Sequence, residues 1–487
     1  MKEQQTLMRG IGALVGLCLF ILILVMETPE GLQPEGQRAA AVAVLMAFWW
    51  VARVFPLAVT ALVPLVAFPV LGVIGIADAA RPFAHHLNFL MLGGFVMGFA
   101  MEEVGLHRRV VAALLRFQWV RKTPPRVVGA LMVSGAVLSA LISNTATMLM
   151  LLPVASALAA RCTQSVRQRS AFVLGLAYST SIGGTMTLVG TPPNALLANA
   201  APSLTFASWM TIGVPFALLS LPLAWWVITH VSIPLPATFE RPPEPEPARP
   251  WSVSEVLVLG VIMVAMALWL TRKPIQVEAL GIAIPGWSQW FADPAMVQDA
   301  WVAIFAALVL FLVPGQKNAK PPRPFLLEWK RVEQAIPWSV LLLLGGGFSL
   351  ASAIQGSGLT AWLAQGMTGL GAWMGPEGPP WGSVAAVAVI CLVMTFLTEL
   401  TSNTATTTIV LPILAAAATS AGLEPTVWMI PATLSASCAF MMPVATGPNA
   451  VASEAGGVAP RDMAVGGLAL NLLCVATATT VTTLLVM

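Results

Sequence analysis

Two copies of one polar motif decide the fold of this chain: residues 139–147 read SALISNTAT and residues 398–406 read TELTSNTAT. Pro153 and Pro412 follow the Ser-Asn-Thr triplets at the same spacing, so the two copies keep an offset of 259 residues throughout. A match of this length with a conserved spacing indicates a duplication. The chain is therefore predicted to consist of two related halves, each with one copy of the motif.

Each motif lies in the middle of an apolar run that is too long for one membrane crossing. The runs cover 124–160 and 381–418, whereas one crossing takes about 20 residues. Basic residues flank the first run and place both its ends on the cytoplasmic side: Arg121, Lys122 and Arg126 before it, and Arg161, Arg167 and Arg169 after it. The first run is predicted to be a re-entrant helical hairpin with its polar tip at mid-depth, and the second a hairpin that enters from the opposite side.

The composition excludes a soluble protein, because 57% of the 487 residues are hydrophobic and only 9% are charged. With both hairpins re-entrant, we predict about 11 transmembrane helices, a cytoplasmic N-terminus and an outside C-terminus. The first apolar run, 11–26, precedes no cleavage site and is predicted to remain as a span. Of the 24 basic residues, only Arg38, Arg81, Arg272 and Lys273 then fall outside, as expected for a bacterial-type inner (plasma) membrane protein.

Two further motif pairs repeat in the same order. Residues 189–195 read VGTPPNA and residues 444–450 read VATGPNA, and the Gly-Phe and Gly-Leu pairs at 94–95 and 105–106 recur at 347–348 and 358–359. An odd number of predicted crossings separates the halves, so they are inverted relative to each other. Inverted repeats with interrupted helices at matching positions are typical of secondary transporters, whose site lies between the repeats. The predicted fold class is an all-α polytopic membrane protein.

Composition along the chain predicts six units. The segment from Pro234 to Pro250 is rich in Pro and Glu and is predicted to link the halves. The predicted units are the first span with the N-terminal helices that follow it (1–102), a basic interfacial helix (103–123), the first hairpin with its interrupted helix and following span (124–230), a cytoplasmic linker (231–251), further helices of the second half (252–380), and the second hairpin with its interrupted helix and the last span (381–487).

The hairpin tips have groups that suit an anion. Ser, Asn and Thr side chains both donate and accept hydrogen bonds, and the free N–H groups at a helix N-terminus attract negative charge. Two tips facing each other suit a molecule with an acidic group at each end. The alternative is that the triplets merely cap helices, as such residues often do. Two triplets at equivalent positions favour a binding site.

The interrupted segments VGTPPNA and VATGPNA have groups that suit a small hard cation. Proline frees backbone carbonyls, and these oxygens with hydroxyl and amide oxygens fit Na⁺ better than a transition metal. No Arg or Lys lies in the predicted tips or interrupted segments, so a buried dianion there needs co-bound cations. Glu399, three residues before Ser402, is predicted to be a hydrogen-bonded support, with proton coupling as the alternative. The sequence contains no nucleophile–base pair and no cluster of metal ligands that would indicate an enzyme.

These motifs closely resemble those of the divalent anion/sodium symporter (DASS) family over nearly the whole chain. The resemblance implies a substrate site formed by Ser143, Asn144, Thr145, Ser402, Asn403, Thr404 and Thr446. It implies a first sodium at Ser139, Ser143, Asn144 and the carbonyl of Gly190, and a second at Thr398, Thr401, Asn403 and the carbonyl of Ala445. It also implies a homodimer in which the hairpins and interrupted helices move as an elevator against a scaffold.

The expected function is sodium-coupled symport of a C4-type dicarboxylate such as succinate, malate or fumarate. Sodium-independent dicarboxylate exchange, or transport of sulfate or citrate, is the alternative within the same fold. One departure from the family pattern is Gly447, where many relatives have a second proline. A glycine there is expected to enlarge that edge of the pocket.

Overall fold

The computed structural model describes residues 2–238, 250–277, 282–315, 323–366 and 379–487, and this part of the chain is almost entirely helical. The exception is a short antiparallel pair of strands, β1 (Ile275–Val277) and β2 (Ile282–Ile284). Within the described ranges, eight segments are long and apolar enough to cross a membrane: Met8–Val25, Ile76–Val104, Asn144–Cys162, Phe206–Ser232, Val253–Leu270, Trp338–Gly356, Trp381–Leu400 and Pro460–Leu485. The predicted all-α polytopic fold is confirmed.

The first half begins with a series of single helices and ends with a hairpin, an interrupted helix and a long span. Its helices are α1 (Lys2–Val25), α2 (Pro34–Val51), α3 (Leu57–Thr60), α4 (Val63–Val70), α5 (Ile76–Ala80), α6 (His86–Val104), α7 (Leu106–Leu115), α8 (Pro124–Ser139), α9 (Asn144–Cys162), α10 (Val166–Gly184), α11 (Pro192–Ala200) and α12 (Phe206–Trp226). A π-helical turn, Val227–Ser232, extends α12, and 3-10 turns lie at Arg81–Ala84 and Val120–Lys122.

The second half has the same order of elements. Its helices are α13 (Val253–Leu270), α14 (Asp299–Leu310), α15 (Trp329–Ala335), α16 (Trp338–Gly356), α17 (Leu359–Gly366), α18 (Pro380–Leu400), α19 (Asn403–Ser420), α20 (Thr426–Ala436), α21 (Gly447–Glu454) and α22 (Pro460–Leu485). Two 3-10 turns, Trp287–Trp290 and Pro294–Met296, precede α14. The hairpins are therefore α8–α9 and α18–α19, and the interrupted helices are α10–α11 and α20–α21.

Two glycines at matching positions support the duplication independently of the polar motifs. Helix α6 ends at Gly105 with φ 76°, and the residue after Ser357, Gly358, has φ 74° before α17 begins. L-residues other than glycine rarely adopt this left-handed conformation. The Gly-Leu match at 105–106 and 358–359 thus marks the same helix-to-helix turn in each half.

The apolar run 57–76 is long enough by hydropathy to count as one of the 11 predicted spans, but it does not form a single helix. The structure contains α3 and α4 there, separated by a turn, and a second turn follows before α5 begins. Pro64 lies in the first turn of α4 and Pro69 near its end. Since proline lacks the backbone donor that continues a helix, the run forms short helices.

The interrupted helices pack on their own hairpins and on the opposite half. Helix α10 packs against α8 and α9, and α20 packs against α18 and α19. Across the halves, α9 packs against α21, while α11 packs against α19. Each hairpin therefore contacts the interrupted helix of the other half.

The basic interfacial segment is anchored to the start of α13. Arg109 of α7 lies with Nε 2.7 Å from Oε1 of Glu255, and its guanidinium lies 4.3 Å from the ring centre of Trp251. Most of the predicted linker, residues 239–249, lies outside the described residues. The predicted domain boundaries stay predictions.

Candidate substrate and ion site

The two Ser-Asn-Thr triplets lie at the tips of the hairpins, where each second arm begins. Ser143 and Ser402 are the residues that precede α9 and α19, and neither side chain makes a capping hydrogen bond to its helix. Asn144 and Asn403 are the first helical residues. The serine hydroxyls are therefore not used as plain helix caps, and they remain available to a ligand.

Around Asn144 the first hairpin and the first interrupted helix bring several oxygen atoms together. Oδ1 of Asn144 lies 2.7 Å from Oγ of Ser139 and 3.2 Å from the carbonyl oxygens of Gly190 and Thr180. With the amide reversed, its nitrogen donates to all three. In the other orientation, Oδ1 of Asn144 accepts from Oγ of Ser139 but faces the two carbonyl oxygens, and a cation at this position would relieve their repulsion. The amide of Asn144 can adopt either orientation, because its oxygen and nitrogen ends are nearly the same shape.

Two glycines make this approach possible. A side chain at Gly184 would overlap the amide of Asn144, and one at Gly190 would overlap the carbonyl of Gly184. The absence of side chains at these two glycines lets the end of α10, the interrupted segment and the tip of the first hairpin approach closely. This close contact puts the Gly190 carbonyl 3.2 Å from the amide of Asn144.

The corresponding residues of the second half are arranged differently. Oδ1 of Asn403 is buried and accepts no hydrogen bond from any described residue. Thr398 donates within its own helix, to the carbonyl oxygens of Met394 and Thr395 at 3.0 Å. The hydroxyl of Thr401 lies 2.5 Å from that of Thr406 and donates to Leu397. The side chains of the second predicted sodium group thus bond mainly to helix α18.

An asparagine braces each interrupted segment in the same way. Nδ2 of Asn194 donates to the carbonyls of Gly184 and Thr187, at 3.0 and 2.7 Å. Nδ2 of Asn449 donates to the carbonyls of Ala439 and Met442, at 3.0 and 3.1 Å. All three pairs of residues keep the offset of 255. Both asparagines are fully buried, and their Oδ1 atoms accept no hydrogen bond from the described residues.

Gly447 does not enlarge the pocket, contrary to the expectation from the sequence. A side chain at Gly447 would overlap Oγ1 of Thr145, so the hydroxyl of the first hairpin tip occupies that space. Thr446, the residue before α21, uses its hydroxyl to cap that helix, with Asn449 N donating to it at 3.2 Å. The glycine therefore brings Thr145 of one half against the interrupted helix of the other.

Gly447→Ala is expected to raise the substrate KM about five- to tenfold, because the new methyl group must displace the Thr145 hydroxyl at a typical overpacking cost of about 1 to 1.4 kcal/mol. Transport kinetics in proteoliposomes measure this. Gly260→Ala is the matched control, since a side chain there meets nothing within 4 Å and should leave KM unchanged. The double variant Gly447→Ala/Thr145→Ser should recover part of the loss, because a serine hydroxyl can rotate away. An unchanged KM in Gly447→Ala would contradict this contact.

Glu399 is a buried carboxylate that holds the second interrupted segment. Its Oε1 accepts from Met441 N at 2.8 Å and from Asn471 Nδ2 at 2.7 Å, and its Oε2 accepts from Met442 N at 3.0 Å. Asn471 lies on α22, so one side chain joins the hairpin, the segment and the last helix. The structure thus gives Glu399 the supporting contacts predicted for it. At the equivalent position of the first half, Ala140 uses its backbone carbonyl, which accepts from the hydroxyl of Thr187.

Sequence reasoning missed several residues that complete this region. They include Thr180, whose carbonyl faces Asn144, and Tyr178, the single tyrosine of the chain. The hydroxyl of Tyr178 lies 2.8 Å from the carbonyl of Phe440 and 3.1 Å from that of Met463, so it joins α10 to the second half. The repeat offset of 255 pairs Thr180 with Ser435 and could have drawn attention to it; no local signal marks Tyr178.

Comparison with known proteins gives a consistent result. The sequence model of the citrate transporter family (CitMHS) matches residues 43–433. The sodium-dependent dicarboxylate transporter SdcS of Staphylococcus saprophyticus is 32% identical over 97% of this chain and 91% of its own length, and SdcS of Staphylococcus aureus is 31% identical over 95% and 88%. The fold matches the crystal structure of the YdaH transporter of Alcanivorax borkumensis with a TM-score of 0.57 and 14% identity, over 84% of this chain and 86% of that one.

The protein is a multi-pass membrane transporter with two related halves, and it is not an enzyme. The chain belongs to the citrate transporter family, and the resemblance to the divalent anion/sodium symporter family inferred from its motifs is confirmed.

Proposed function

We propose that this protein is a secondary active transporter that moves dianionic substrates together with Na⁺. The proposed substrates are C4-type dicarboxylates such as succinate, malate and fumarate. The observation that supports this most is the group of uncharged oxygens around Asn144, which suits a small hard cation in a site without basic side chains. Relatives that are 31–32% identical over nearly the whole chain are named sodium-dependent dicarboxylate transporters.

In this proposal two sodium ions flank the substrate. The first is held by Ser139, Ser143, Asn144 and the Gly190 carbonyl, and the second by Thr398, Thr401, Asn403 and the Ala445 carbonyl. The dianion lies between the tips and contacts Ser143, Asn144, Thr145, Ser402, Asn403, Thr404 and Thr446. Each ion offsets part of the substrate charge, so binding of either favours binding of the other.

The proposed mechanism is an elevator. The two hairpins and two interrupted helices would move as one unit against the scaffold helices of a homodimer, exposing the site first to one side of the membrane and then to the other. The 11-span topology, with a cytoplasmic N-terminus and an outside C-terminus in a bacterial plasma membrane, is part of this proposal. Opposite entry of the hairpins makes the two access routes symmetry-related.

A second candidate substrate is citrate, because the matching family is described as citrate transporters. Citrate has a third carboxyl group and needs a wider or more positive site. Sodium-independent exchange of dicarboxylates and sulfate transport are the remaining alternatives.

The test is uptake of labelled succinate into proteoliposomes containing the purified protein. We expect uptake to require an inward sodium gradient, to fail with potassium or choline in its place, and to be inhibited by unlabelled malate and fumarate more strongly than by citrate or sulfate. Uptake that persists without sodium but needs dicarboxylate inside the vesicles would overturn the symport proposal in favour of exchange. Stronger inhibition by citrate would assign the site to tricarboxylates.

A further inference from the structure

Arg53 has an unusual backbone conformation at the end of a scaffold helix. It lies just after α2, with φ 50°, and it is the one non-glycine residue of the described ranges with a positive φ. L-residues disfavour this left-handed region, and such strain persists only where surrounding contacts hold it. The conformation therefore points to a contact that this arginine maintains.

That contact is with the second interrupted segment. Nη2 of Arg53 donates to the carbonyl oxygen of Val444 at 3.0 Å, although 391 residues separate them in the chain. Both residues are exposed, and Val444 is 52% exposed. Ala445 and Thr446 follow directly, and they are the residues proposed to hold the second sodium and the substrate. Since consecutive Cα atoms are about 3.8 Å apart, the guanidinium lies within about 10 Å of the backbone of Thr446.

The sequence places no basic residue in the predicted tips or interrupted segments, and the fold brings one to the second half. The same segment is also held by the carboxylate of Glu399, through Met441 N and Met442 N. In the first half, the equivalent contact between Thr187 and the Ala140 carbonyl involves no charged side chain. The two proposed sodium sites therefore lie in different electrostatic surroundings.

We propose that Arg53 determines the charge specificity of the transport site: its positive charge favours divalent over monovalent anions and lowers the affinity of the second sodium site. This inference deepens the proposed function and rests on it. A unit charge about 10 Å from a dianion bound at Thr446, at a dielectric constant of about 50 to 80, changes affinity about four- to tenfold. For a monovalent anion, the change in affinity is the square root of this factor, about two- to threefold. For a monovalent cation, the change has the same size and the opposite direction.

The experiment compares wild type with two neutral variants, Arg53→Asn and Arg53→Gln, and with the charge-retaining Arg53→Lys. Asparagine tolerates the left-handed conformation, so Arg53→Asn removes the charge with little backbone strain. Arg116→Gln, an exposed arginine after α7, controls for loss of one positive charge elsewhere. Uptake in proteoliposomes gives KM for succinate, the inhibition constant of monomethyl succinate, and the sodium concentration at half-maximal uptake.

In both neutral variants we expect KM for succinate to rise about four- to tenfold, the preference for succinate over monomethyl succinate to fall about two- to threefold, and half-maximal sodium to fall about two- to threefold. Arg53→Lys and Arg116→Gln should resemble wild type. A role limited to anchoring the segment would lower the maximal rate in all three Arg53 variants without these opposite shifts, and that result would overturn the proposal.

Failure of the proposed function is distinguishable from failure of this inference. If wild type takes up dicarboxylate without sodium, the symport proposal is wrong. The role of Arg53 is then tested only by the ratio of the affinities for divalent and monovalent anions. If wild type prefers citrate, the ratio of the affinities for citrate and for its monomethyl ester, which differ by one negative charge, is measured instead. An unchanged ratio in both neutral variants contradicts the inference in either case.

Discussion

Asn144→Ala and Asn403→Ala are each expected to reduce sodium-driven uptake about 100-fold or more. Each variant removes an amide proposed to contact both an ion and the anion, and two such contacts at about 1.5 to 3 kcal/mol each account for a loss of this size. Asn144 is also the residue on which Ser139, Thr180 and Gly190 converge. Uptake by proteoliposomes at matched protein content measures the effect.

The matched control for these variants is Asn88→Ala. Asn88 is a buried asparagine of α6 whose Nδ2 donates to the carbonyl of Phe83 at 2.9 Å, and neither residue belongs to a hairpin or an interrupted helix. Its loss should lower stability while leaving the dependence of uptake on sodium unchanged. Normal transport by both Asn144→Ala and Asn403→Ala would show that the assigned site is wrong.

Glu399→Ala is expected to destabilise the protein by at least about 3 kcal/mol. The change leaves Met441 N, Met442 N and the Asn471 amide without their acceptor, and each buried unsatisfied group typically costs about 1 to 3 kcal/mol. Glu399→Gln keeps one oxygen acceptor, so its free energy of unfolding should fall by roughly half as much. Thermal unfolding of the purified protein in detergent, followed by size-exclusion chromatography, gives the order of the variants.

Glu454→Ala is the matched control, because Glu454 is an exposed residue at the end of α21. Its loss should change stability by less than about 0.5 kcal/mol. The Gln variant also separates support from proton coupling. If Glu399→Gln retained full stability but lost the coupling of uptake to the cation gradient, the carboxylate would have a role in transport that its hydrogen bonds do not explain.

The sequence was sufficient to predict the hairpins because a membrane constrains the chain locally. A crossing needs about 20 apolar residues, so polar triplets in the middle of the double-length runs 124–160 and 381–418 had few structural explanations. Breaks in helices are also local, since Pro192 and Pro448 lie at the starts of α11 and α21. The run 57–76 shows the limit of this reasoning: hydropathy indicated a span, while two turns and two prolines divide it into short helices.

By itself the sequence determined that this is a duplicated, all-helical membrane transporter, because composition, repeated motifs and helix breaks can all be identified along the chain without knowing which residues meet in space. Only the tertiary structure decided which residues of the two halves contact each other. It placed the hydroxyl of Thr145 in the space left by Gly447 and brought the charge of Arg53 to the carbonyl of Val444. Such contacts join residues hundreds of positions apart, and their partners are chosen by how helices pack, which no local pattern encodes.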